Sequence, residues 1–169
     1  GGGTGNLDTL MLDGRVTLDK EFARWTGRLD DSFDATIMVG QHAMAGTVDG
    51  FLDHTMCPRS WFSYAINGTP VGETGMWATI AGHFDVPLIY LAGDQAACDE
   101  AEALIPRITT TAVKQGVGRN RATGMHPSTA HELIRRDAAA ALSQAKSKWP
   151  KPLKWRKPLT CQLTFYRSD

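Results

Sequence analysis

Three side chains within about thirty positions of one another are of types that can do chemistry together: His42, His54 and Glu73. They stand in the segments VGQHAMAG (39–46), DHTM (53–56) and NGTPVGETG (67–75). Each lies where an apolar run stops or a glycine-rich turn starts, and scaffolds present polar groups to clefts from such loop ends. Imidazole and carboxylate are the usual zinc ligands when thiolates are absent. His42 and Glu73 are therefore candidate metal ligands. A catalytic zinc keeps one position for water and lowers its pKa toward about 7. The chain has no HExxH helix to complete such a site. His54 is the candidate catalytic residue. Its neutral imidazole can take a proton from water or pass one to a leaving amine. The competing reading is plain: an isolated histidine or glutamate is an ordinary surface or internally satisfied group, and His54 an exposed loop histidine. Adjacent side chains of an extended segment point opposite ways, so Asp53 is not expected to orient His54.

Other polar residues carry weaker signals. His83 reads as a packing residue beside Phe84. His126 precedes Pro127 and helps begin a helix, and His131 falls in that helix's first turns. The string GVGR (116–119) lacks the GxxxxGK[ST] pattern of a phosphate loop. Lys114 and Arg119, in the same basic stretch, are candidate contacts for a peptide carboxylate or another anion.

The elements that must position these groups alternate. ATIMVG (35–40) reads as a short buried strand ending in a loop. SWFSYAING (60–68) reads as a strand turning at Asn67-Gly68. From Thr74 to Phe84, apolar residues at Met76, Trp77, Ile80, Ala81 and Phe84 mark a helix face. Glu73 stands at or just before its start, where a carboxylate suits the dipole. VPLIYLAGD (86–94) is the clearest buried strand, QAACDEAEALI (95–105) a helix stopped by Pro106, and ITTTAV (108–113) another strand. KQGVGRNRATGM (114–125) reads as a glycine-rich basic loop. Pro127 to about Lys148 reads as a long helix, with Thr129 and Glu132 spaced as a capping box. PLTCQLTFYR (158–167) alternates like a half-exposed strand. Residues 1–6 can only be a glycine lead-in, and 7–29 show no clean period. The pattern predicts an α/β fold: a mixed, largely parallel sheet flanked by helices, with sites at the C-terminal ends of its strands.

Composition excludes several classes. The chain has 169 residues, enough for one domain with a core, and 42% hydrophobic against 21% charged residues is ordinary for a globular protein. Nothing approaches the roughly 18 apolar residues of a membrane span, so no membrane partner is expected. Cys57, Cys98 and Cys161 form no close pair or CxxC, which argues for idle thiols, a reducing compartment and a cytoplasmic location. The net charge is zero, but residues 1–105 hold 5 basic and 15 acidic residues and residues 106–169 hold 13 and 3. The basic segment KSKWPKPLKWRK (146–157) is broken by Pro and Trp. It reads as a solvated linker or an interface, and with no nucleic-acid-binding motif present no nucleic acid is expected.

The run from GQHAMAG through DHTM, INGTPVGETG, AGHFDVPLIYLAGD and AEALIPRITTTAVKQGVGR closely resembles the zinc D-aminopeptidases of the DppA type, over roughly residues 30–145. The resemblance implies that His42 (in GxHA) and Glu73 (in PVGE) are zinc ligands and that His54 (in the SHTM-like string) is catalytic, as base or nucleophile. It implies two zinc ions per full-length subunit, a short peptide substrate and ring-shaped homo-oligomers. Family members carry a D-x-E-G strand end and a D-x-H string that supply further ligands. Both would precede Gly1, so the expectation is an internal fragment, truncated at both ends: a single partial α/β peptidase domain over 1–169, inactive or nearly so by itself. Here one extra residue separates His42 from His54, and Asp53 replaces the usual serine.

The expected activity is hydrolysis of short peptides with an N-terminal D-residue (D-Ala type) by zinc-activated water. The alternative is a non-catalytic oligomer-forming or peptide-binding subunit, with the Trp149, Trp155 and Arg156 region as its interface.

Overall fold

A computed structural model describes residues 11–17 and 29–167. The reading of residues 1–6, and most of that of 7–29, lies outside the described residues. The main sheet has the strand order β1-β4-β5-β6. Strands β1 (Thr36–Gln41), β4 (Leu88–Asp94) and β5 (Thr109–Gly116) run parallel, and β6 (Ala122–Gly124) pairs antiparallel with β5. The sheet is thus mixed and largely parallel, as the alternating pattern predicts. Every residue of β4 is buried. Its near-continuous apolar sequence follows, because both faces are covered. On one side Leu88 and Leu91 pack with Ala78 of α1 (Glu73–His83) and with Ala97, Cys98 and Ala101 of α2 (Gln95–Leu104). On the other, Ile89, Tyr90 and Ala92 pack with Ala141 of α3 (Pro127–Ser143) and with Trp149. A polar chain also ties strands to helix: the Tyr90 hydroxyl donates to Thr111 Oγ1, which donates to Asp137 Oδ2, both at 2.8 Å.

Several details differ from the sequence reading. A second, three-stranded antiparallel sheet of order β3-β2-β7 joins β2 (Trp61–Ile66), β3 (Thr69–Pro70) and β7 (Cys161–Phe165). The turn between β2 and β3 is at Asn67 (φ 49°) and Gly68 (φ 79°), as their types predict. The stretch 114–125 is not simply a loop. Its ends pair as β5 and β6 across a turn at 117–121, which satisfies their backbone groups. Helix α3 is capped by His126, whose Nδ1 accepts the Ser128 amide at 3.3 Å, rather than by a Thr129–Glu132 box. Pro127 at the first helical position sets that start and leaves Thr129 already inside the helix. The helix ends at Ser143, and Lys146–Lys148 form a separate 3-10 turn. His83 is exposed, and its only ring contact among the described residues is edge-on to Phe84.

Helix α1 also buries a different face. Its buried residues are Thr74, Gly75, Ala78, Ala81 and Gly82, while Met76, Trp77 and Ile80 are half-buried. Val71 and Leu104 close on Gly75, and the segment 146–157, which reads as a solvated linker or an interface, closes on Gly82. A Cβ on Gly82 would lie 2.0 Å from the Leu153 carbonyl oxygen, so only glycine admits that crossing. Residues 146–157 are fastened to the domain. The Trp149 indole donates to the Ala141 carbonyl at 3.0 Å, the Trp155 indole to Thr79 Oγ1 at 2.8 Å, and Arg107 to the Trp149 carbonyl at 2.8 Å. Tryptophan ring area outweighs the lysines' preference for water, because lysine stems can lie along a surface with their ammonium groups outside. Among the described residues no helix is long and apolar enough to cross a membrane.

Candidate metal centre

His42 follows the C-terminal end of β1, and Glu73 opens α1. Between them, residues 42–56 form an irregular loop that doubles back on itself. The Ala43 carbonyl accepts from the His54 amide at 3.3 Å, Thr55 Oγ1 from the Ala45 amide at 3.1 Å, and Asp53 Oδ2 from the Gly46 amide at 2.7 Å. This folding brings the two imidazoles face to face, with ring centroids 3.8 Å apart and planes 20° from parallel. Asp53 is spent on the Gly46 amide and is not hydrogen-bonded to His54.

The ring nitrogens are differentiated by their partners. Nδ1 of His42 lies 3.0 Å from the Ala43 carbonyl, and Nδ1 of His54 lies 2.7 Å from the Leu52 carbonyl. A carbonyl can only accept, so each Nδ1 is assigned a proton, and in the neutral imidazoles the lone pairs are on the two Nε2 atoms. Those two Nε2 atoms each stand 3.6 Å from Glu73 Oε1. The Glu73 carboxylate is steadied by the Met56 amide, which donates to Oε1 at 2.9 Å. One ligand atom from each of His42, His54 and Glu73 falls within 4.8 Å of the others. Two lone-pair nitrogens and a carboxylate oxygen converging at partial exposure repel one another, and a divalent cation between them turns that repulsion into coordination. Fixing of Nδ1 by backbone carbonyls is the usual support of metal-binding histidines. The donor set therefore fits a metal ion.

A model of the D-aminopeptidase family Peptidase_M55 matches residues 2–169. The chain belongs to this D-aminopeptidase family. A D-aminopeptidase of Bacillus subtilis (strain 168) is 44% identical over 125 residues, which are 74% of this chain and 44% of that protein. A solved structure described as the Zn-dependent D-aminopeptidase DppA from Bacillus subtilis, a self-compartmentalizing protease, superposes with a TM-score of 0.78 at 36% identity. That superposition covers 84% of this chain and 50% of the other. The chain thus spans about half the length of these D-aminopeptidase relatives.

Lys114 and Arg119 are placed beside the loop 42–56, and among the described residues neither is hydrogen-bonded to the three candidate ligands. The Lys114 ammonium lies 5.1 Å from the Phe51 ring centroid, and Arg119 Nη1 lies 3.8 Å from Asp53 Oδ1. Lys114, with Gln95, Gln115, Thr123 and Met125, lines an open cavity of about 320 Å³. Two acidic residues escaped the sequence reading. Asp94 Oδ2 accepts the Phe51 amide at 2.8 Å while Oδ1 caps α2 through the Ala97 amide at 3.2 Å. Its place between a strand and a helix is a capping signal that could have marked it. Glu100 Oε2 accepts the Met44 amide at 2.7 Å. Burial holds its carboxyl above the ordinary glutamate range, opposed by the Met44 and Gly72 amides. Set among Asp99 and Glu102 on the same helix, Glu100 carries no sequence signal of its own.

Proposed function

We propose that this chain is the metal-binding part of a zinc-dependent aminopeptidase that hydrolyses short peptides with an N-terminal D-residue, of the D-alanyl type. The observation that carries this reading is the convergence of His42 Nε2, His54 Nε2 and Glu73 Oε1. Family membership and the zinc dependence of the structural relative support it. His42 and Glu73 hold metal, with two zinc ions per full-length subunit implied by the family resemblance. Zinc, when bound, supplies Lewis acidity that polarises a carbonyl and eases the deprotonation of water.

His54 manages the proton. Its Nδ1–H is committed to Leu52, so Nε2 is free to accept a proton from the attacking nucleophile and return it to the departing amine. The Leu52 carbonyl fixes the ring in that tautomer. Lys114 and Arg119 supply positive charge near the same loop and would hold the carboxylate of a short peptide. A homo-oligomer is part of the proposal, supported by the relative's description as self-compartmentalizing. Unpaired Cys57, Cys98 and Cys161 fit a cytoplasmic location.

A second reading of His54 rests on its equal 3.6 Å distance to Glu73 Oε1, which suits a third ligand as well as a proton carrier. The two part on variants of the full-length protein, assayed for bound zinc and for hydrolysis of a D-alanyl dipeptide. His42→Ala and Glu73→Ala are expected to lose both. His54→Ala is expected to keep zinc and lose turnover by about 10²–10⁴-fold, the range of general acid–base catalysis. Loss of zinc from His54→Ala would make it a ligand, and undiminished turnover in all three would reject the peptidase reading.

A further inference from the structure

Glu100 lies on α2 and touches neither histidine, yet it stands between the two stretches of backbone that carry metal ligands. Its Oε2 accepts the amide of Met44, two residues beyond His42, at 2.7 Å. Its Oε1 is buried and makes no well-formed hydrogen bond among the described residues, although the Gly72 amide faces the same carboxylate. That oxygen lies against Gly72, the residue before Glu73. A Cβ on Gly72 would fall 2.6 Å from Oε1 and 2.8 Å from the Met44 Cβ. The absence of a side chain at Gly72 thus lets three groups close up: the His42 loop, the N-terminus of α1, and the carboxylate wedged between them. A buried carboxylate with one oxygen poorly hydrogen-bonded costs stability where it stands. What it contributes is spacing.

Resting on the reading of His42 and Glu73 as ligands, we propose that Glu100 is a positioning residue for the metal centre. It sets the distance between the His42 loop and the start of α1, so that an imidazole and a carboxylate supplied 31 positions apart meet one ion. Outer partners of metal ligands act in this way through orientation, and their loss typically weakens metal affinity about 10–100-fold.

The test compares metal binding with metal-free stability in the full-length protein. Glu100→Gln keeps the side chain's size but replaces one of the two oxygens that face the Met44 and Gly72 amides with an NH2 donor. Gly72→Ala inserts a methyl group into the same gap from the opposite side. Both variants are expected to bind zinc about 10–100-fold more weakly in competition with a chromogenic chelator. Both should also change the visible spectrum of the cobalt(II)-substituted protein, which reports ligand geometry. Asp99→Asn, exposed on the same helix, is the control and should leave affinity and spectrum unchanged. Wild-type affinity and spectrum in both variants would overturn the proposal. So would an affinity loss that merely follows a lower melting temperature of the metal-free protein, with an unaltered cobalt spectrum, because that pattern marks a structural role. If His42→Ala and Glu73→Ala bind zinc as the parent does, the ligand assignment has failed, and this inference falls with it.

Discussion

The strand β4 and the loop 42–56 lie in the same small domain and are held by different forces. β4 is buried along its whole length, with apolar clusters on both faces. The loop has no regular secondary structure over most of its course, and carboxylates fasten its backbone amides. Glu100 takes Met44, Asp53 takes Gly46, Asp94 takes Phe51 and Glu73 takes Met56, all within 2.7–2.9 Å. Apolar burial is non-directional and stabilises the scaffold without specifying a contact to a fraction of an ångström. A charged acceptor on an N–H is short and directional. The contrast assigns stability to the sheet and geometry to the loop.

Substitutions that separate those two duties test the contrast. The largest effect is expected in the core. Leu91 is fully buried in β4, and Leu91→Ala should cost about 2–5 kcal/mol of unfolding free energy. Denaturant melts will read that loss. The metal affinity of the protein that remains folded should be unchanged, and a parallel loss of affinity would erase the distinction between scaffold and loop.

Asp94 belongs to both regions, since it caps α2 and holds Phe51. Asp94→Ala should cost about 1–2 kcal/mol, through the lost cap and an amide left without its acceptor. Unlike the Leu91 variant, it should weaken zinc binding and speed hydrogen exchange at the Phe51 amide. Exchange at Phe51 as slow as in the parent would show that the carboxylate does not hold the loop.

The smallest effect is expected on the far side of the sheet, at Asp137. Arg136 and then Thr111 hold its carboxyl below the ordinary aspartate value of 3.8. A carboxylate whose folded pKa is depressed stabilises the fold above its unfolded pKa, and that stabilisation disappears as pH falls through the folded value. Asp137→Asn should therefore lower the melting temperature slightly at neutral pH and leave it unchanged well below pH 3.8. The group is close to the surface, so the difference should stay under about 1 kcal/mol. A variant equally destabilised at all pH values would trace the effect to the Thr111 hydrogen bond rather than to charge.

Legibility from sequence followed the range of the forces. The apolar run of β4, the stop of α2 before Pro106 and the Asn67-Gly68 turn are local and were readable, because each depends on neighbours along the chain. The buried face of α1 is legible only in part. Hydrophobic spacing points to Met76, Trp77, Ile80, Ala81 and Phe84; Ala81 is buried, but the rest of the buried face is made of small residues, closed on by Val71 and Leu104 at Gly75 and by Leu153 at Gly82. The tail 146–157 reads as a solvated linker or an interface, and its packing on the domain is not legible because lysines dominate its composition while two tryptophans decide its contacts. His42, His54 and Glu73 could be singled out by type and by family resemblance. That they meet, and which nitrogen each imidazole presents, could not be read from the chain.

The amino-acid sequence alone determined which segments could become a buried strand, a helix or a tight turn, because periodicity and φ preferences act over a few residues. Only the tertiary structure decided that β1, the loop after it and the start of α1 close around one point, and that Asp94 and Glu100 hold them there. Contacts between a side chain and an amide 43 or 56 positions away leave no periodic trace in a sequence. They exist only once the sheet has assembled and brought the two partners within reach.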